Sequence, residues 1–146
     1  MKKLLLSFSV VLAMVSCLNY EPVNIIPKPS ELEVRYGCFC IDETSRIVVK
    51  DDEFMKMAQN FSSELESLLG FSMPVEADSQ LRGNIVLELS DKLEAEEYAI
   101  EVGINDIMIA GGTPAAVFYA LQTLRQLIED DGDVQAVAIK DKPYFA

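Results

Sequence analysis

The 146 residues carry 12 Lys and Arg against 24 Asp and Glu, a formal charge of −12, and no His. Such a chain repels phosphate backbones, because nucleic-acid binding depends on Lys and Arg neutralising phosphates, so DNA and RNA are excluded as partners. The missing His removes the commonest general base and the commonest zinc ligand, while a chain of this length can bury about two thirds of its unfolded surface, enough for one domain with an ordinary core.

Residues 1–16 read as a secretion signal: Lys2 and Lys3, an apolar run from Leu4 to Val15, then a small residue before Cys17. The run is short of the roughly 20 residues that a helix needs to span a bilayer. Met14-Val15-Ser16-Cys17 resembles a bacterial lipobox, in which cleavage precedes the cysteine and the cysteine receives the lipid. Cys17 is therefore the expected lipid attachment, and the protein an exported lipoprotein anchored to a membrane, periplasmic or at the cell surface. Acyl chains contribute about 0.8 kcal/mol per buried methylene, so a multiply acylated cysteine would hold firmly. An ordinary cleaved signal is the alternative, but no Ala-x-Ala site stands in the right place. Residues 17–24 form a polar tether.

The folded part is expected over residues 25–139. It opens at Ile25-Ile26-Pro27-Lys28-Pro29, where two prolines impose an extended backbone. Leu32, Val34 and Tyr36 alternate with Glu31, Glu33 and Arg35 as in a half-buried strand; Gly37 turns or bulges it, and Phe39 and Ile41 resume the alternation. A short strand follows around Ile47, Val48 and Val49. Asp51 and Asp52 offer an N-cap to a helix in which Phe54, Met57, Ala58, Phe61, Leu65, Leu68 and Leu69 recur at helical spacing until Gly70. After a connection over residues 71–83, Ile85, Leu87 and Leu89 alternate with Asn84, Val86 and Glu88 as another strand, one face more apolar than the other. Tyr98, Ile100 and Val102 then oppose Glu97, Ala99 and Glu101, and the short connection to Ile107 and Ile109 predicts an antiparallel hairpin. Thr113 is placed as N-cap, with Pro114 at the first helical position, of a helix whose apolar stripe is Val117, Ala120, Leu121, Leu124, Leu127 and Ile128. That helix is expected to end around Gly132, and residues 134–139 supply a last short strand. Strands interspersed with two long helices, one strand pair joined too tightly for a crossover, give an α+β class: a mostly antiparallel or mixed sheet with both helices on one face.

Little in the chain carries chemistry of its own. Gly111-Gly112 between strand and helix matches neither G-x-G-x-x-G nor G-x-x-x-x-G-K-[ST], so the pair is read as a tight turn bringing helix and sheet together. Cys38 and Cys40 lie on one face of a strand, too few ligands for a structural zinc and too close for an unstrained disulfide; they are expected as thiols in or near the core. Carboxylates cluster at residues 51–53, 94–97 and 129–133, where solvated charge explains them. No catalytic, metal-binding or cofactor-binding residue is assigned. Phe118 and Tyr119 fall off the apolar stripe of the second helix, and two adjacent aromatics there are read as a contact with a second domain.

A resemblance covers nearly all of residues 25–146. Ile25-Ile26-Pro27-Lys28-Pro29, Gly37-x-Phe39, Glu97-x-Ala99-Ile100-x-Val102 and above all the run from Gly112-Thr113-Pro114 through Phe118-Tyr119-Ala120-Leu121-Gln122-Thr123-Leu124-Arg125-Gln126-Leu127 resemble the N-terminal domain of bacterial β-N-acetylhexosaminidases of glycoside hydrolase family 20. Ala116 and Ala120 stand where that family usually has glycines. The resemblance implies a zincin-like sheet with two helices, packed beside a TIM barrel in which an Asp-Glu pair does the chemistry. No position here matches that catalytic motif, and residues 140–146 resemble the start of the junction to the barrel. The expectation is a non-catalytic domain, inactive alone, whose partner is its own or a neighbouring barrel. The alternatives are a stand-alone surface lipoprotein that binds glycans or proteins, and the N-terminal domain of another glycosidase such as an α-glucuronidase.

Overall fold

The computed structural model describes residues 22–79 and 81–143. Cys17 and the signal segment lie outside the described residues, as does the end of the expected junction. Seven strands and two helices follow in the order β1 (Glu31–Cys40), β2 (Arg46–Val49), α1 (Met55–Leu69), β3 (Val75–Glu76), β4 (Asn84–Leu89), β5 (Tyr98–Val102), β6 (Ile107–Gly111), α2 (Pro114–Leu127) and β7 (Asp133–Asp141). The strands form one sheet in the order β1-β7-β5-β6-β4-β2-β3. From β1 to β6 every neighbouring pair is antiparallel; from β6 through β4 and β2 to β3 every pair is parallel. The class is thus α+β with a mixed sheet and both helices on one face, as expected.

The halves of the sheet differ for a physical reason. In the antiparallel half the strands alternate: Tyr98, Ile100 and Val102 of β5, and Ile107 and Ile109 of β6, are buried under the helices, while Glu101 and Met108 are exposed on the far face. In the parallel half both faces are buried: Val48 and Val86, in register with each other and with Met108, lie on the face away from the helices yet are only 2% and 8% exposed. Parallel strands buried on both faces read as continuous apolar runs, and Ile47-Val48-Val49 and Ile85-Val86-Leu87 are such runs. The alternation expected for β4 is corrected accordingly. The connection over residues 71–83 also holds β3, a two-residue strand beside β2; α1 is the crossover between these two parallel neighbours.

Local chemistry sets the ends of the elements. Thr113 Oγ1 accepts from Ala116 N at 3.3 Å and Pro114 stands at the first turn, as read from the sequence. Asp51 does occupy an N-cap position, but its side chain instead accepts from Leu89 N on β4 at 3.2 Å, and a 3-10 turn over Asp52–Phe54 leads into α1. Gly70 ends α1 with a left-handed φ of 81°. Helix α2 stops at Leu127, earlier than expected, because Ile128 turns to an extended conformation and bridges Val134. Gly132 then has a φ of 89°, and a β-carbon on it would lie 2.4 Å from Ile41 O. At Gly112 a β-carbon would lie 1.9 Å from Glu94 O, so the Gly111-Gly112 pair is explained by close backbone approach. The final strand is neither short nor peripheral. β7 runs to Asp141, two residues past the expected boundary, and lies between β1 and β5. Gly37, at a φ of 99°, marks the bulge in β1, where Gln135 Nε2 donates to the carbonyls of Arg35 and Gly37.

Candidate functional site

Helices α1 and α2 leave between them a groove of about 370 Å³. Met57 and Phe61 of α1 and Phe118 and Leu121 of α2 give it apolar walls, and Lys56, Glu64 and Gln122 are among its polar lining. Residues three apart on a helix are neighbours on its surface, so Phe118 and Leu121 share one flank of α2; Leu121 reaches the core at 1% exposure while Phe118 stays 46% exposed. One turn on, Arg125 Nε lies 3.5 Å from Glu64 Oε1, an ion pair across the two helices in which the nitrogen makes no hydrogen bond among the described residues. Both groups keep much of their solvent contact, so this pair contributes little to stability.

The aromatic pair read as an interface mark is split by the fold. Phe118 lies in the groove, while Tyr119 is half-buried and packs against the core. Their rings still meet edge-on, centroids 6.0 Å apart at 65°, a favourable aromatic geometry. Tyr119 therefore supports Phe118 from behind, and only Phe118 offers a large free surface.

The opposite flank of α2 is occupied from within. Thr123 Oγ1 and Tyr98 Oη lie 2.8 Å apart, and Tyr98 Oη donates to Asp141 Oδ2 at 3.3 Å. Because the phenol has one proton and gives it to Asp141, Thr123 is the donor in the first bond. Burial pushes the Tyr98 phenol up to about 12, with the nearby Asp141 charge adding to the effect. Asp141 Oδ1 accepts from both Ser30 N at 2.9 Å and Ser30 Oγ at 2.7 Å. Further along α2, Gln126 holds both backbone groups of Ile26: Ile26 N donates to Oε1 at 3.0 Å and Nε2 donates to Ile26 O at 3.1 Å. Sequence reasoning missed Asp141 because it ended the strand at Ile139. The signal was present: Val137 and Ile139 face the helices, and the next inward position is Asp141.

These features stand inside a matched family. The family model "Glycosyl hydrolase family 20, domain 2" matches residues 22–142, the whole of the sheet and both helices. The chain belongs to glycosyl hydrolase family 20. A Beta-hexosaminidase of Porphyromonas gingivalis is 26% identical over 136 residues, covering 84% of this chain and 18% of that protein. One from Vibrio furnissii is 28% identical over 126 residues, covering 84% and 20%. Among solved structures, the GH20 beta-N-acetylhexosaminidase of Streptomyces coelicolor A3(2) superposes with a TM-score of 0.71 at 25% identity, over 86% of this chain and 28% of that one. The GH20 exo beta-N-acetylglucosaminidase of Vibrio harveyi gives 0.72 at 23% identity over 82% and 19%, a likeness of fold. This family-20 chain thus spans a fifth or less of the length of the curated relatives it matches.

Among the described residues of the family-20 domain, packing and ion pairing place the remaining candidates. Phe39 points inward at 2% exposure, so Cys38 and Cys40 face the other side of β1; Cys38 is half-buried, while Cys40 is exposed and so departs from the expected place in or near the core. Alternation about Phe39 is the reason. Desolvation, then the neighbouring Asp133, push the Cys40 thiol up to about 11, which keeps it protonated and a poor nucleophile at neutral pH. Among the described residues no group of three His, Cys, Asp or Glu side chains is arranged to hold a metal ion. Within residues 94–97, Glu97 acts structurally: it accepts from Glu94 N at 3.0 Å and pairs with Lys140 at 3.0 Å, and both interactions, the first more, hold its carboxyl below the usual range.

Proposed function

We propose that this chain is the non-catalytic N-terminal domain of an exported, lipid-anchored β-N-acetylhexosaminidase, and that it packs through the α1–α2 groove against the barrel that removes terminal N-acetylhexosamine from glycans. The observation that carries this is the domain-2 match over residues 22–142, together with two Beta-hexosaminidase relatives in which the matched part is a fifth of the length or less. The groove supports the docking half of the proposal, because Met57, Phe61, Phe118 and Leu121 line it together and Phe118 keeps 46% of its surface exposed, an apolar lining with a polar rim of the kind that partners cover. Attachment at Cys17 is supported by the Met14-Val15-Ser16-Cys17 segment.

Three measurements test the parts separately. The purified chain is expected to give no turnover of an aryl N-acetylglucosaminide and no heat with chitooligosaccharides; robust turnover would sink the assignment, and heat of binding would favour a glycan-binding module. Mixed with a separately produced family-20 barrel, the chain is expected to co-elute, and Phe118→Ser to weaken that association at least about tenfold, the scale of a residue at the centre of an interface. Labelled palmitate is expected in the cell-expressed wild type and not in Cys17→Ser.

A further inference from the structure

Asp141 joins parts of the chain that are far apart in sequence. It stands opposite Tyr98 in the β5–β7 register, and the pairing of Glu31 with Lys140 brings Ser30 alongside it. At 8% exposure it is a carboxylate on the helix-covered face of the sheet. Its two oxygens take up Ser30 N, Ser30 Oγ and Tyr98 Oη, and Tyr98 continues the chain of bonds to Thr123 on α2. Hydrogen bonds to a carboxylate are stronger than those between neutral groups, and a donor stripped of its acceptor in a buried place is costly. The residues on either side are held on the outer face: Lys140 Nζ lies 3.0 Å from Glu97, and Lys142 Nζ contacts Glu94. Three consecutive residues where the chain leaves the sheet are therefore tied down from both faces. The segment that leads into the fold is tied by the same group through Ser30, and by Gln126 through Ile26.

We propose that Asp141 is a positioning residue that locks the segment entering the fold, residues 25–30, and the segment leaving it, residues 140–143, into one rigid unit with α2, so that the direction in which the chain leaves the domain is set by the fold. Its consequence for a catalytic domain beyond that segment rests on the function proposed above. The coupling itself does not, so the two can fail independently.

Hydrogen exchange followed by mass spectrometry on the whole chain tests the coupling. Asp141→Ala is expected to raise exchange at least tenfold in residues 25–32 and in residues 138–143 together, while residues 107–110 of β6 keep their protection. Asp141→Asn, which retains an acceptor for Ser30, restores most of it. Leu65→Ala, a cavity variant in α1, is the control for general destabilisation and is expected to loosen α1 with residues 25–32 and 138–143 still protected. Should Asp141→Ala fail to fold, Ser30→Ala carries the test: it must raise exchange at residues 138–143, although Ser30 and Asp141 are 111 positions apart. Loosening of one end without the other, or the same loosening in Leu65→Ala, overturns the proposal.

Discussion

The two flanks of α2 are built from the same fourteen residues and end differently. On one, Phe118 stands partly bare in a groove shared with α1, and its surroundings are Lys56, Glu64 and Gln122. On the other, Thr123 and Gln126 are bonded to Tyr98 and to the backbone of Ile26. A flank whose polar groups are satisfied within the domain is committed to holding that domain together. A flank that leaves a phenylalanine ring half in water retains apolar area, worth about 25 cal/mol per Å² on burial, that is not used within the domain. The difference separates the part of the helix committed to the fold from the part that the function proposed above assigns to docking.

That contrast can be broken or sharpened by substitution. Leu121→Ala should have the largest effect, about 3 kcal/mol of unfolding free energy in urea, because Leu121 is fully buried and its removal opens a cavity between groove and core. Tyr98→Phe should cost about 1 kcal/mol, since it removes the hydroxyl between Thr123 and Asp141 while keeping the buried ring. Phe118→Ser should cost about 1 kcal/mol at most, from the edge-on contact with Tyr119, while removing the groove's exposed apolar ring. A stability loss there as large as that of Leu121→Ala would mean that the groove flank also serves the fold.

The smallest effect belongs to the outer face at the Asp141 corner and is read through pH. Glu97 has its pKa lowered from 4.5 by Glu94 N and Lys140, so its contribution is fully present above the unfolded value and is lost as pH falls through the lower folded one. Lys140 has its pKa raised from 10.5 by Glu97, so its contribution is present below the unfolded value and is lost as pH rises through the higher folded one. Between these limits stability should be flat with respect to this pair. Glu97→Gln should lessen the loss below about pH 4.5 in acid titrations followed by circular dichroism; an unchanged acid limb would show that the pair contributes nothing measurable.

Much of the architecture was legible along the chain because it is written in local chemistry. Thr113 and Pro114 start a helix wherever they precede an apolar stripe, Gly70 ends one, and the tight connection after Val102 allows only a hairpin. What could not be read locally depended on partners distant in sequence. Whether Val86 is an outer or a buried residue depends on Val48 and Met108 lying beside it. The strand β3 exists only because β2 offers a free edge to two residues. The spacing of Cys38 and Cys40 says that they share a face but not which one, and Phe39 takes the inner face.

The candidate site divides along the same line. Helical period alone sets Phe118 and Tyr119 apart from Val117, Ala120 and Leu124, so aromatic residues outside the core stripe of α2 are legible in the chain. Packing was needed to show that Phe118 faces a groove while Tyr119 lies against the core, and that Asp141, inward by the alternation of β7, is bonded to Ser30 and Tyr98. The reason is that periodicity records the direction of a side chain relative to its own helix or strand, whereas exposure and hydrogen bonding are set by whichever distant segment packs against it.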